Sequence, residues 1–412
     1  MGITTAYYLT RSPSYDPETH SIILLEAVGV AAGSSGKGGG FVASWAVPAC
    51  IAPLSFKLHR ALAREHDGEK VWGYRAVYAA EVELQAGEEP EGEHVGGDDD
   101  REKETDHYSE NNEDRSSPSA LDWLRPGSMK ACHEIGTPAD SGQVHPYLFC
   151  HKMAELARMG GASIIIGTVT SINYFDHDDS SGSGSSPSKA IKSVTYSTTA
   201  TTSQGETKIQ THDLPATDVL LAAGPWTSKL LPRVKLLAPK GHSIVVRPSS
   251  GGDHTIGNIS PYILFPTIIS SPTTTTPILS PDIYPRPRDA LNTFDAIYAS
   301  GPDYHDVPLP DLVSEVTVEE DKADSVWRAV RSVSSRAIQD GAVITKQACH
   351  KAQIRKHEED EEVGPIVGPV DDDDVVGLWL ATGLDEWGGC PERACGRARH
   401  ERDDFGGEGY EC

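Results

Sequence analysis

Apolar and polar residues are spaced like a helix and then a strand at several places along the chain. Residues 1–10 (MGITTAYYLT) predict a helix, and residues 21–26 (SIILLE) predict the strand that follows it. A helix predicted over about 147–158 runs through a Gly-Gly end into a strand at 162–167. A further apolar strand at 216–223 turns sharply into the start of a helix. Alternation of this kind favours an α/β domain built on parallel strands.

The segments in between have the pattern of a second domain. A leucine-lined helix leads into the aromatic patch 71–75 (VWGYR), which suits a sheet. Residues 240–248 (KGHSIVVRP) and 297–299 (IYA) predict strands, and residues 324–338 predict a helix. These elements are separated in sequence, so we expect the second domain to be built from insertions into the first.

The opening helix and strand carry two residues with the spacing of a dinucleotide site. Gly2 begins the helix, and Glu26 ends the strand 24 residues later. In such sites a glycine turn brings the backbone close to a pyrophosphate at a helix N-terminus, and an acid about 20 residues on holds the ribose hydroxyls. Gly2 matches the third glycine of that fingerprint; the first two glycines and their strand are not in this chain. We therefore expect an incomplete gene model or a reduced pyrophosphate cradle.

Two further segments supply candidate chemistry. Residues 33–41 (GSSGKGGGF) are too rich in glycine for a helix or a central strand, and their N–H groups and hydroxyls can meet an anion or a flavin edge. A flexible surface loop is the commoner meaning of such a run and stays the alternative. Within residues 220–231 (LLAAGPWTSKLL), Ala223 and Gly224 follow a strand, where open α/β sheets bind their ligands.

The order and spacing of these motifs resemble the FAD-dependent oxidoreductases of the D-amino-acid oxidase superfamily. Within that superfamily, the motif sequences are most similar to those of a fungal branch of uncertain substrate. The series continues with QAC at 347–349, GPIVG at 364–368 and GLWLATG at 377–383. The resemblance covers most of the chain outside its polar insertions. No single motif carries it.

The resemblance implies an α/β fold with a Rossmann-like FAD-binding domain, discontinuous in sequence, and an inserted α+β substrate domain containing a mostly antiparallel sheet. The expected FAD-binding domain comprises residues 1–60, 143–235 and 341–388. The expected substrate domain comprises residues 61–142 and 236–340, with 86–118 as a disordered acidic insertion. Residues 389–412 are expected to form an aberrant polar tail.

The resemblance also implies which residues bind the cofactor FAD. Gly2 would be the last fingerprint glycine, and Glu26 would bind the adenosine ribose. The backbone of Val169 would meet the adenine. The full implied set is Gly2, Glu26, Ala27, Ser34, Ser35, Gly36, Lys37, Gly38, Gly39, Val169, Ala223, Gly224, Trp226, Gly383, Trp387 and Gly388.

One departure from the family pattern concerns the substrate. Where many amino-acid oxidases of this class carry an aromatic residue and then Arg after the QAC run, this chain has His350-Lys351-Ala352. Arg clamps a carboxylate with a planar fork, whereas Lys offers a point charge. We predict Lys351 as a substrate-facing cation with a catalytic role; a solvated lysine in the basic run 346–356 is the alternative. His242 is expected to be structural.

A second departure lies at the end of the chain. Residues 385–412 contain no Val, Ile, Leu or Met, so they cannot bury a helix face against the flavin domain. A shifted reading frame or a mispredicted exon explains such a segment. The tail also holds three cysteines and His400, but they lack the paired short spacing of a structural zinc site, so no metal is predicted.

Charge and composition exclude several classes of partner. The formal net charge of -25 argues against nucleic acid and anionic membranes. Much of the charge lies in the acidic insertion 86–118, which cannot order itself and could dock a protein partner. No apolar run is long enough to span a bilayer, and no signal peptide is present. Seven scattered cysteines indicate reduced thiols and therefore a cytoplasmic protein, with endosomal association as an option.

The sequence therefore predicts an FAD-dependent oxidase or dehydrogenase that oxidises a CH-N bond of a small amine or amino acid by hydride transfer to flavin. Three alternatives stay open. The chain could be a catalytically silent interaction protein in endosomal sorting, an NAD(P)-dependent dehydrogenase, or the non-functional translation of an active gene. A bound yellow cofactor separates the first two from the main hypothesis, and transcript sequence across both ends tests the third.

Overall fold

The structure is a computed structural model, and it describes residues 1–87, 121, 123–176, 189–201, 207–249, 259–270, 279–286, 295–354, 365–370 and 375–384. Residues 88–118 of the predicted acidic insertion 86–118 lie outside the described residues. So do Trp387, Gly388 and the predicted polar tail 389–412. Within the described part of the chain, no helix is long and apolar enough to cross a membrane.

The described residues contain both helices and many short strands. The α-helices are α1 (Gly2–Leu9), α2 (Ala52–Glu65), α3 (Gly68–Trp72), α4 (Pro146–Met159), α5 (Thr227–Leu230), α6 (Glu320–Val333) and α7 (Arg336–Gln339). Short 3-10 helices cover Ser34–Gly36, Gly224–Trp226 and Val313–Glu315.

The strands are numbered in chain order. They are β1 (Ile23–Glu26), β2 (Phe41–Ala43), β3 (Arg75–Ala76), β4 (Tyr78–Gln85), β5 (Met129–Gly136), β6 (Ser141–Gln143), β7 (Ser163–Ile166), β8 (Thr168–Asp176), β9 (Lys189–Thr201), β10 (Thr207–Pro215), β11 (Val219–Leu221), β12 (Leu236–Leu237), β13 (Lys240–Arg247), β14 (Tyr262–Ile269), β15 (Asp282–Arg286), β16 (Ala296–Tyr304), β17 (Ala342–His350), β18 (Gln353–Ile354), β19 (Ile366–Pro369), β20 (Val375–Val376) and β21 (Leu378–Thr382).

The first helices and strands form the βα arrangement that the apolar pattern predicts. Strand β1 pairs in parallel with β7, from Ile23 opposite Ser163 to Glu26 opposite Ile166. Helix α1 buries Ile3 and Tyr7 at helical spacing against α4, whose start at Pro146 uses the residue type that a first turn tolerates. The predictions of both helices and both strands are confirmed.

The carboxyl ends of two later strands also meet. Strand β11 pairs in parallel with β21, and β19 pairs with β21 in the opposite direction. A separate antiparallel ladder joins β8, β9 and β10. Parallel strands place their C-terminal residues at one edge, so the turns after β11 and β21 lie side by side.

The second unit is a seven-stranded sheet in the order β17-β13-β16-β15-β14-β4-β5. Its pairs are antiparallel except that β14 runs parallel to β4. One face packs on α6 through residues such as Ile283 and Ile297, and the opposite face carries Tyr284 and Tyr298. This α/β fold with a mixed, largely antiparallel sheet confirms the predicted fold class. The face that carries the two tyrosines is called the tyrosine face below.

Two elements differ from the sequence predictions. The helix expected over 324–338 begins earlier, at Glu320, and breaks at Ser334, because the N–H of Ser335 donates to the carbonyl of Trp123 at 2.8 Å. The prediction that the aromatic patch 71–75 belongs to a sheet is wrong for Trp72, which ends α3 and packs with α1 and α4. We therefore propose that the first boundary between the two units lies near Arg75.

Candidate functional site

Glycines and an acid gather where the parallel strands end. Gly2 lies between Leu24 and Ala222, since a Cβ built on it would be 3.4 Å from Leu24 Cδ1 and 3.6 Å from Ala222 Cβ. Gly224 follows β11 with φ of 56° and Gly383 follows β21 with φ of 79°, a backbone region that favours glycine. The hydroxyl of Thr382 donates to the carbonyl of Gly224 at 3.5 Å. The structure thus brings together three of the predicted glycines.

Glu26 ends β1 in a half-buried position beside the start of α1. Burial raises the pKa of its carboxyl, and the positive charge of the nearby N-terminal amine partly offsets that rise. The thiol of Cys150 lies close to the same carboxylate and donates to the carbonyl of Ser35 at 3.6 Å. Glu26 and the glycine-rich loop 33–41 are therefore neighbours. Among the described residues, no hydrogen bond or ion pair joins their side chains directly.

The glycine-rich loop 33–41 has a defined conformation. A Cβ on Gly36 would lie 2.2 Å from the carbonyl oxygen of Ala31. Gly40 has φ of 84°, and a Cβ there would lie 1.9 Å from the carbonyl oxygen of Val144. Backbone atoms fill the space that side chains would need, so the alternative of a flexible surface loop is wrong.

Donors on the tyrosine face hold this loop by its carbonyls. Tyr298 donates its hydroxyl hydrogen to the carbonyl of Lys37 at 2.9 Å, and Gln347 Nε2 donates to the same oxygen at 2.7 Å. Arg286 Nη2 donates to the carbonyl of Gly38 at 2.7 Å. In return Lys37 Nζ donates to the carbonyl of Ala348 at 3.0 Å. These four hydrogen bonds tie the loop to the sheet.

The next residue of the loop lies against an aromatic ring. A Cβ built on Gly39 would be 2.7 Å from Tyr284 Cδ1. The side-chain amide of Gln143 donates to the carbonyl of Gly39 at 3.3 Å, and Arg75 Nε donates to Gln143 Oε1 at 3.1 Å. Gly39 is thus a point of close approach between the two units.

A cluster of ionisable residues continues along the tyrosine face. Lys351 Nζ lies 3.0 Å from Asp303 Oδ1, and their side chains are only 14% and 8% exposed. Asp282 lies near both and exchanges a hydrogen bond with the hydroxyl of Tyr284. Burial raises the pKa of Asp282 to about 7, Lys351 lowers it and Asp303 raises it. This cluster is called the Asp-Lys cluster below. The alternative of a solvated Lys351 is wrong, while its catalytic role stays a prediction.

The remaining predicted positions lie outside the contact between loop 33–41 and the tyrosine face. Val169 lies half-buried in β8 opposite Tyr196, and Ala27 is exposed after β1. The indole of Trp226 donates to the carbonyl of Pro310 at 2.9 Å, which directs it toward the second unit. His242 is buried, and its Nε2 lies 2.9 Å from Glu319 Oε2, consistent with the structural role expected for it.

Sequence reasoning missed the donors and acids on the tyrosine face. Asp282, Tyr284 and Arg286 alternate along β15, so their side chains share one side of the sheet. Such an alternation of polar residues is a signal that could have found them. Their contact with the loop joins residues about 250 positions apart, and no local pattern encodes that pairing.

Comparison with known proteins identifies relatives over most of the chain. The profile of a family described as FAD dependent oxidoreductase matches residues 1–398. The oxidoreductase TDA3 of Saccharomyces cerevisiae, whose name marks the assignment as provisional, is 24% identical over 94% of this chain and 86% of its own. A similarly named protein of Schizosaccharomyces pombe is 27% identical over 85% of this chain and 79% of its own.

Solved structures with the same fold include two oxidases. Glycine oxidase from Geobacillus kaustophilus has a TM-score of 0.55 and 15% identity, covering 92% of this chain and 85% of its own. Iminodiacetate oxidase from a Chelativorans species has a TM-score of 0.56 and 14% identity, and the match covers 93% of this chain and 87% of its own. At this level of identity the likeness concerns the fold.

Proposed function

The chain belongs to the DAO family of FAD-dependent oxidoreductases, and on that basis we propose that it oxidises a CH-N bond of a small amine or amino acid. The two solved structures named above are called glycine oxidase and iminodiacetate oxidase, and glycine and iminodiacetate both carry such a bond. The observation that carries the proposal is the clamp of loop 33–41 on the tyrosine face. It sets the implied flavin loop directly against the side chains that would form a substrate pocket.

The residues at the strand ends fit FAD. A Cβ built on Gly33 or on Gly224 meets no atom within 4 Å, so open space lies beside both turns. Glu26 supplies a carboxylate at the end of β1, where ribose hydroxyls are held in this type of fold. Ser34, Ser35 and the following glycines offer hydroxyl and N–H donors suited to a diphosphate.

When bound, FAD would supply the acceptor for the hydride that leaves the substrate carbon. The chain's own residues position and shield that chemistry. Tyr298 and Gln347 fix the loop through the carbonyl of Lys37, so the distance between the loop and the sheet is set before substrate arrives. The buried face around Tyr284 excludes water from that contact.

The test starts from the visible absorption spectrum of the purified 412-residue chain after incubation with FAD and removal of excess cofactor. We expect flavin bands, followed by bleaching when a reactive amine or amino acid is added without oxygen. A screen of small amines and amino acids for peroxide release then identifies the substrate. Absence of flavin bands, or bands that no compound with a CH-N bond bleaches, would overturn the proposal.

A further inference from the structure

We propose that the Asp-Lys cluster binds the ammonium group of the substrate, so that the protein selects small cationic amines in preference to substrates anchored by a carboxylate. Oxidation of the bound amine rests on the proposed function, whereas binding of its ammonium group does not. The site comprises Asp282, Asp303, Lys351 and Tyr284 on the tyrosine face, with Gly241 beside the ion pair.

The cluster lies on the side of the sheet that faces the loop. Asp282 and Tyr284 are two residues apart on β15 and therefore point to the same side. The ring of Tyr284 contacts Gly39 of the loop, while its hydroxyl bonds Asp282. One side chain thus spans the distance between the implied flavin loop and the carboxylate. A substrate nitrogen bound at Asp282 would therefore be separated from that loop by about the length of the Tyr284 side chain.

Charge balance in the cluster favours a further cation. Asp282 and Asp303 contribute two carboxylates, and among the described residues the ammonium group of Lys351 is the cation that lies near both. Asp303 Oδ1 is buried and accepts no hydrogen bond of good geometry, although Lys351 Nζ is 3.0 Å away. An ammonium group brings donors and one positive charge, which would satisfy that oxygen and the second carboxylate.

A glycine lies next to the ion pair on the neighbouring strand. Gly241 faces it from β13, and a Cβ there would lie 3.1 Å from Asp303 Oδ1 and 3.4 Å from Lys351 Cε. A larger residue at this position would crowd both charged groups. With glycine at this position, no side chain of β13 covers that side of the ion pair.

The cations near this face already have partners, which argues against a carboxylate anchor. Lys351 is neutralised by Asp303. Arg286 donates to the carbonyl of Gly38 and lies 4.5 Å from the centre of the Tyr298 ring. A substrate carboxylate would have to displace these contacts, whereas an ammonium group adds to the cluster without breaking one.

The proposed binding mode has a balanced proton step. The ammonium group of the substrate transfers one proton to the ionised carboxylate of Asp282, giving a neutral amine and a carboxylic acid. The neutral amine retains the lone pair that assists loss of hydride from the adjacent carbon. The raised pKa of Asp282 is consistent with a group that holds this proton near neutral pH.

The experiment compares two probes of equal size and opposite charge, n-butylammonium and butyrate, by calorimetric titration at pH 8. We expect the FAD-loaded chain to bind butylammonium at least about tenfold more tightly than butyrate. Asp282→Asn should weaken butylammonium binding about tenfold and leave butyrate binding unchanged. Asp340→Asn, which changes an exposed aspartate on another part of the surface, is the matched control and should change neither affinity.

Gly241→Ala provides a second variant that keeps every charge. It should weaken butylammonium binding because the added methyl group crowds the ion pair. Tighter binding of butyrate, absence of butylammonium binding, or equal affinities in the native chain and Asp282→Asn would overturn the inference. Repeating the titration without FAD separates the two proposals. Amine binding that depends on Asp282 in a chain that retains no flavin would support the ammonium site and overturn the proposed function.

Discussion

The ring of Tyr284 lies against Gly39, so closely that a Cβ on the glycine would stand 2.7 Å from Cδ1 and 2.8 Å from Cδ2 and Cε1. Real Cβ atoms do not approach ring carbons to that distance. Tyr284 is buried in the sheet and has little room to retreat. The position of the loop therefore depends on the absence of one methyl group.

Gly39→Ala should displace the loop from the tyrosine face and weaken FAD binding about tenfold or more. The matched control is Gly29→Ala, because a Cβ on Gly29 would meet no atom within 4 Å. The measurement is the FAD dissociation constant from fluorescence quenching. Equal affinities for the two alanine variants would show that the contact with Tyr284 does not position the loop.

Tyr298→Phe removes the hydroxyl that donates to the carbonyl of Lys37. We expect the free energy of unfolding to fall by about 1 kcal/mol, because Gln347 still donates to the same oxygen. Urea unfolding measures the change. Tyr147→Phe, on the exposed side of α4, is the control and should have no effect. A larger loss at position 147 would contradict the expectation.

Asp282→Asn should change how stability depends on pH. The pKa of the folded state is raised from its ordinary value of 3.8 to about 7, so the folded chain holds this proton more tightly than the unfolded chain. The native chain therefore loses stability as pH rises from about 4 to about 7, and the asparagine variant lacks this loss. The groups that face Asp282 are Lys351, Asp303 and Tyr284.

Thermal unfolding across pH tests this prediction. Above pH 7 the Asp282→Asn variant should be more stable than the native chain by about 1–2 kcal/mol, and near pH 4 the difference should vanish. The same stability curve in both proteins would mean that the carboxyl titrates normally. A gain in stability at the cost of amine affinity is the expected behaviour of a residue that serves binding.

Asp303→Asn should have the opposite sign. It removes the carboxylate that lies 3.0 Å from the ammonium of Lys351, a side chain only 14% exposed, which costs about 3 kcal/mol in folding. The double variant Asp303→Asn with Lys351→Met should recover much of that loss, because it also removes the buried ammonium group that Asp303 faces. A double variant as unstable as the single one would indicate that Asp303 acts through other contacts.

Glu26→Ala should weaken FAD binding about tenfold by removing the carboxylate implied to hold the ribose hydroxyls. Burial raises the pKa of Glu26, so the same change should not lower the melting temperature of the cofactor-free chain. Glu83→Ala, an exposed change on β4, is the control. If Glu26→Ala retains FAD like the control, the ribose is held elsewhere.

Much of the first unit follows from local pattern. Helical spacing of Ile3 and Tyr7, the apolar run ending at Glu26, and the strand, turn and helix around Gly224 each encode their own element. Hydrophobic periodicity works there because each element buries one face against its nearest neighbours in the fold. The ordered series of such motifs was enough to predict the fold class and the family.

The end of α6 shows where local pattern fails. The apolar spacing continues past Val333, yet the backbone leaves the helix at Ser334 to pair with Leu124 across the fold. Trp72 is of a residue type enriched in strands, but it packs in the core beside Phe149, with 5.6 Å between the ring centres. In both cases a tertiary contact outweighs a propensity of a fraction of a kcal/mol per residue.

The sequence by itself determined the α/β pattern and the glycines and acid that a nucleotide fold requires, because these depend on spacing within about 25 residues. Only the tertiary structure decided that Tyr298 reaches the carbonyl of Lys37 and that Lys351 is buried with Asp303. Those contacts join segments far apart in the chain, and their strength comes from shared burial, which exists only after the sheet has closed over the loop.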